Sequence, residues 1–117
     1  MQNLEQVRAR NALKLGPVAG DKGGEVIKKV APLILNHGLL ATAAYSFTEK
    51  EGWQKVFDAI ACHLADRDIA IVPGSVTDRQ TLMTFLTDRA TTSETLKLAT
   101  HETMAWLAFA RRFSRKG

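Results

Sequence analysis

The sequence contains a single cysteine, and its first residues lack the features of a secretory signal. Because a disulfide needs two thiols, no cross-link within the chain is possible, and the place of Cys62 in a helical, apolar-rich stretch predicts a small buried side chain. Residues 1–5 lead directly into a polar helical stretch, without the basic start, apolar run and cleavage site of a signal peptide. We therefore expect a cytoplasmic protein.

Residue patterns typical of catalysis or metal binding are also missing. None of the three histidines has a second ligand at the spacing of a zinc motif: His37, His63 and His101. The pair at 101–102 begins like H-E-x-x-H, but Ala105 stands where the second histidine is needed. Asp66 and Asp68 flank an arginine and are interpreted as a solvated helix end. The sequence thus predicts no enzyme, no metal and no cofactor.

Charged side chains are absent from residues 30–48, if His37 is taken as neutral. Fourteen of the 22 residues in 26–47 are apolar, and they recur at helical spacing, which predicts a buried central helix or helix pair. Pro32 predicts a bend or restart, and Asn36-His37-Gly38 predicts a break. A membrane span is the alternative, because a span needs about 20 mainly apolar residues. The polar residues within the run make this alternative unfavourable in lipid.

Helical periodicity predicts four further helices, the first over residues 2–15. The other three begin at Ser/Thr-x-x-Glu/Gln capping boxes: Thr48–Glu51, Thr77–Gln80 and Thr91–Glu94. The glycine content of residues 16–24 predicts a loop, but the spacing is not that of a phosphate-binding loop. The apolar residues 69–72 are interpreted as an extended connector before a Pro73-Gly74 turn. Because no pair of strands is indicated, the expected fold is all-α. We expect a compact bundle of five or six helices, with residues 1–117 as one domain.

The charge is unevenly divided along the chain. Residues 1–47 hold six basic and three acidic residues, residues 48–110 hold six and nine, and residues 111–117 hold four basic residues and no acid. The basic tail could contact phosphates without reading bases: Arg111, Arg112, Arg115 and Lys116. Four residues of the first two helices could extend that surface if these helices pack beside the last: Arg8, Lys14, Lys28 and Lys29. A frayed, solubilising terminus is the alternative.

Three segments resemble a known family. Leu4-Glu5-Gln6-x-Arg8-Ala9-x-x-Ala12 is similar to the opening of the small subunit of type III-B CRISPR effector complexes, the Cmr complex. Ala31-Pro32-x-Ile34-x-x-x-Gly38-Leu39-x-x-Thr42-x-Ala44-Tyr45 resembles that family's P-x-x-I-x-x-x-G-L helix. Ala105-Trp106-Leu107-x-x-x-Arg111-Arg112-Phe113 resembles its final helix, in which an aromatic–Leu pair precedes a basic end. The resemblance covers the two terminal thirds of the chain.

The resemblance implies an all-α, non-catalytic subunit of an antiviral RNA-guided complex. Such a subunit would stack along the guide-RNA-bearing backbone, beside a backbone subunit and copies of itself, and support the channel where guide and target RNA pair. Arg8, Arg111 and Arg112 lie in matching segments, so they are the first candidates for contacts to RNA backbone. Lys14, Lys28, Lys29, Arg115 and Lys116 rest on charge alone.

Two other classes of function stay open. A free-standing helical nucleic-acid-binding regulator would use the same basic tail, but it should show a helix-turn-helix with polar base-reading residues. A purely structural oligomer would need no nucleic acid, and its properties would not change when the tail is neutralised.

Overall fold

Most of the uncharged run lies in the longest helix of the described residues, and the other helices pack around it. The computed structural model describes residues 3–15, 20–49 and 51–114. Its five helices are α1 (Leu4–Leu15), α2 (Gly20–Ser46), α3 (Glu51–Ala65), α4 (Arg79–Leu86) and α5 (Ser93–Ser114). No strand occurs in these three ranges. The prediction of an all-α bundle is therefore confirmed.

The break in α2 lies at the glycine that the sequence indicates. Gly38 has φ 86° and ψ 167°, a region of backbone space that only glycine adopts without strain. Pro32 lies inside the helix on an exposed side, and the chain does not restart there. The kink therefore comes from Gly38, which divides α2 into two half-helices.

The glycine-rich segment is partly helical, which corrects the predicted loop over 16–24. Residues 16–19 lie outside the described ranges, but α2 already begins at Gly20. Propensity disfavours glycine in a helix by only about 1 kcal/mol per residue, and packing can outweigh it. Val26, Ile27 and Val30 are buried in the core, so the helix is anchored just after its glycines.

The helix starts differ from the predicted capping boxes. The Thr48 hydroxyl donates to the Tyr45 carbonyl at 2.8 Å, so it closes α2 instead of opening α3. Asp78, not Thr77, caps α4 and forms its capping box with Thr81. At α5, Thr92 accepts from the Thr95 backbone N–H at 3.1 Å. Neighbouring Ser, Thr and Asp residues offer alternative caps, and local pattern does not choose between them.

Apolar side chains of all five helices form one core. Its largest fully buried members include Trp106, Phe57, Ile27, Ile34, Ile60 and Leu82. The connector after α3 contributes Val72 and Val76, and the backbone N–H groups of Ile71 and Val72 donate to the Leu64 carbonyl. No helix in the described part of the chain is long and apolar enough to cross a membrane.

Candidate nucleic-acid interface

Four polar side chains meet in the interior, where α1, α3 and α5 pack together. Arg8 Nε and Nη2 donate to the two carboxylate oxygens of Glu102, each at 2.7 Å. His63 Nε2 lies 2.9 Å from Glu102 Oε2, and His63 Nδ1 lies 2.9 Å from Asn11 Nδ2. These four residues, here called the polar centre, join three helices through one continuous set of hydrogen bonds.

The polar centre fixes the charge of its carboxylate. Burial by itself would raise the pKa of Glu102, but the hydrogen bonds from Arg8 and His63, together with the charge of Arg8, lower it to about 2. The hydrogen bond to Glu102 in turn raises the pKa of the Arg8 guanidinium. An ionised carboxylate is costly to bury unless it is paired, and this one is held by a two-pronged guanidinium contact.

The hydrogen-bond directions also assign the proton on His63. The Asn11 amide donates one hydrogen to Asp66 Oδ2 at 3.0 Å and has a second for His63 Nδ1. Nδ1 then accepts, so the imidazole proton lies on Nε2 and is donated to Glu102. The His63 ring also stacks on Trp106, with centroids 5.9 Å apart and planes at 27°. The ring is therefore held on both edges and one face.

The thiol next to His63 in sequence is not part of this centre. Cys62 is exposed, which corrects the predicted burial, and its Sγ donates to the Thr77 carbonyl at 3.2 Å. The sulfur atom itself is partly shielded from water, and this desolvation raises the pKa of the thiol. The negative charges of Asp58 and Asp78 raise it further. A raised pKa disfavours the reactive thiolate.

Asp66 is more than the solvated helix end that the sequence suggests. Its carboxylate accepts from Asn11, from Arg10 at 3.4 Å and from the Asp68 backbone N–H at 2.9 Å. Burial opposes ionisation, but these hydrogen bonds lower the pKa of Asp66 overall. The end of α3 is thus tied to α1.

The structure places the predicted nucleic-acid-binding residues in different environments. The Arg8 side chain is 22% exposed, and its Nε and Nη2 donors are used by Glu102. Arg111 and Arg112 are exposed in the last turn of α5. Three lysines are exposed on the first two helices: Lys14, Lys28 and Lys29. Arg115 and Lys116 lie outside the described residues.

Both helices that carry these lysines pack directly against α5. The condition for a shared basic surface, contact of the first two helices with the last, is therefore met. Lys14 also lines a cavity of about 410 Å³ between α1 and α3, together with Lys55, Asp58 and Asp66. Because acids and bases alternate around this cavity, it offers a polyanion no consistent attraction.

Sequence reasoning missed the polar centre, although two of its members have a local signal. His63 and Glu102 each stand one helical turn from a large apolar residue, Ile60 and Trp106 respectively. Buried polar side chains nearly always have partners. The identity of those partners, however, depends on contacts between residues 39 to 94 positions apart.

Comparison with known proteins identifies a family to which the chain is similar. The family model described as CRISPR-associated protein (Cas_Cmr5) matches residues 4–116. The chain has no significant match among curated proteins or among solved structures. No group of three or more His, Cys, Asp or Glu side chains is placed to hold a metal in the described ranges.

Proposed function

Because this chain belongs to the Cas_Cmr5 family of CRISPR-associated proteins, we propose that it is the non-catalytic small subunit of a type III-B (Cmr) effector complex. In this role it stacks along the guide-RNA-bearing backbone of the complex, beside the backbone subunit and further copies of itself. It supports the channel in which guide and target RNA pair during antiviral defence in the cytoplasm.

The observation that carries the RNA contact is the exposed basic end of α5. Arg111 and Arg112 project from its last described turn, and arginine binds phosphate through several donors in a fixed plane. α1 and α2 pack against α5, and their exposed lysines Lys14, Lys28 and Lys29 are candidates to extend this contact. Such cations hold nucleic-acid backbone without sequence choice, since base pairing reads the sequence in guide-directed systems.

Arg8 takes a different part in this proposal. Its guanidinium holds Glu102 in the polar centre, so its main contribution is to keep α1 against α5. Both carboxylate oxygens of Glu102 and both ring nitrogens of His63 have hydrogen-bond partners within the polar centre. A buried network of this kind makes the packing of the helices specific, which suits a subunit that holds RNA.

A purification tests this function. The tagged chain is recovered from its native host, and we expect larger subunits together with short guide RNAs that carry repeat sequence. In the same preparation, the double variant Arg111→Ala/Arg112→Ala should keep its subunits but bind target RNA more weakly. The dependence of log affinity on log salt should fall by about one unit per arginine.

The matched control is Lys55→Ala/Arg89→Ala, which removes two exposed cations from α3 and from the segment after α4. An unchanged affinity and salt slope for the Arg111/Arg112 variant would refute the RNA contact. A chain recovered alone, or with DNA only, would refute membership of the effector and favour a free-standing regulator.

A further inference from the structure

The exposed side of α5 carries more basic residues than its last turn. At about 100° per residue, Lys97, His101, Arg111 and Arg112 fall within an arc of about 100° on the helix. All four are exposed, as is Ala108 between them. The opposite side of the helix, with Ala99, Thr103, Trp106 and Ala110, is buried.

This basic face is long enough to follow a nucleic-acid strand. Fifteen residues separate Lys97 from Arg112, which corresponds to about 22 Å along the helix axis. One acidic residue of α5, Glu94, shares the arc, and it lies in the first turn, before Lys97. The face therefore attracts a polyanion at its two ends, with the uncharged Met104 and Ala108 between them.

At its N-terminal end the basic face meets a cavity. The break in α2 leaves an open groove of about 390 Å³ between α2 and α5. Six of its lining residues are His37, Leu40, Leu96, Lys97, Thr100 and His101. None of the described residues that line this groove carries a carboxylate, in contrast to the mixed charges of the cavity between α1 and α3.

The groove has the two kinds of surface that a nucleotide needs. Lys97, His37 and His101 supply nitrogen donors for a phosphate, while Leu40 and Leu96, each half-buried, supply an apolar side for the face of a base. Small-ligand sites measure about 300–1,000 Å³, so a single nucleotide is of suitable size. An open groove also lets a strand enter and leave, which an enclosed pocket would prevent.

We propose that the groove at the α2 break binds one unstacked nucleotide of an RNA strand that runs along the basic face of α5. This inference rests on the proposed function, since it assigns a second contact to the same RNA. It adds His37, Lys97 and His101 to the RNA surface and gives the break at Gly38 a role in binding.

The test is cross-linking and titration with the assembled complex. Target RNA that carries 4-thiouridine is irradiated, and the modified peptides are mapped by mass spectrometry. We expect adducts within residues 37–40 and 96–101 as well as near Arg111. The variant Lys97→Ala/His101→Ala should weaken RNA binding and lower the salt slope by about one unit for the lysine.

The matched control is Lys55→Ala, an exposed lysine on α3. Circular dichroism melting should show that the variants stay folded, because the replaced side chains are exposed. If Arg111→Ala/Arg112→Ala weakens binding while Lys97→Ala/His101→Ala matches the control, the groove is overturned and the proposed function stands. If neither variant differs from the control, the groove and the proposed RNA-binding function are both overturned. Adducts confined to the C-terminal turns would also overturn the groove.

Discussion

At the scale of single residues, Glu102 decides how the interior responds to acid. Its pKa is lowered from 4.5 to about 2, so the folded state binds the proton less well than the unfolded chain does. The stabilisation from this group is fully present above the unfolded value of 4.5. It is lost as pH falls from there toward 2.

We therefore expect the free energy of unfolding of the wild-type chain to decrease between about pH 5 and pH 2, with part of the slope due to Glu102. Glu102→Gln cannot ionise, so its stability should be lower at neutral pH and should change less over this interval. Urea titrations at several pH values measure both effects. Glu94→Gln, an exposed substitution on the same helix, is the control; an equal slope for both variants and wild type would contradict the role of Glu102.

The polar centre also shows which residue-level features a sequence reveals. The prediction of Arg8 as a phosphate contact used its charge and its segment, but the side chain lies against Glu102, 94 positions away. The exposure of Cys62 could likewise not be predicted from the composition of its segment. Lys97 and His101, by contrast, share a helical face with Arg111 and Arg112, and this relation is readable from spacing alone.

At the scale of elements, the helices are predictable and their boundaries are less so. The apolar period locates α1, α3, α4 and α5, and the Asn-His-Gly triplet locates the break in α2. The starts of α4 and α5 are displaced by one residue, because adjacent hydroxyl and carboxyl side chains compete for the cap. The start of α2 at Gly20 depends on burial of the residues that follow, which is a property of the folded bundle.

The break in α2 supplies a prediction at this scale. Gly38→Ala places a Cβ in open space, so no clash arises, but φ 86° and ψ 167° are strained for alanine. We expect a loss of about 1–3 kcal/mol in the free energy of unfolding, measured by denaturant titration.

The glycine after α3 gives the matched control for this substitution. At Gly74 a Cβ would also meet nothing within 4 Å, and the backbone is not in the left-handed region. Gly74→Ala should therefore be neutral or stabilising by up to about 1 kcal/mol. If both substitutions cost the same, backbone strain at the break is not the cause.

At the scale of the whole molecule, the determinants of stability and the proposed RNA contacts occupy separate places. The polar centre and core lie between the helices, whereas Arg111 and Arg112 lie on the outer side of α5. Glu102 and Arg111 are nine positions apart on α5, about 13 Å along the helix axis, and the effects of sites so far apart are usually additive. Substitutions of Arg111 and Arg112 should therefore leave the stability of the fold unchanged. Substitutions that lower stability modestly should leave RNA binding unchanged.

We expect Glu102→Gln to lower the melting temperature and to leave the salt dependence of RNA binding unchanged at temperatures where the protein is folded. Arg111→Ala/Arg112→Ala should lower the salt dependence of RNA binding and leave the melting temperature unchanged. Melting curves and RNA titrations on the same samples measure both. Parallel loss of the two properties in either variant would show that the interior and the RNA surface are coupled.

The polar centre has a consequence for the order in which this protein assembles during synthesis. α1 is synthesised before its two partners, because His63 lies on α3 and Glu102 on α5. Chains are made at roughly 5–20 residues per second, so α1 waits several seconds before its last partner exists. Its isolated length of 12 residues is marginal for a stable helix in water. The contact of Arg8 with Glu102 therefore forms only after α5 has been made, so α5 completes the polar centre.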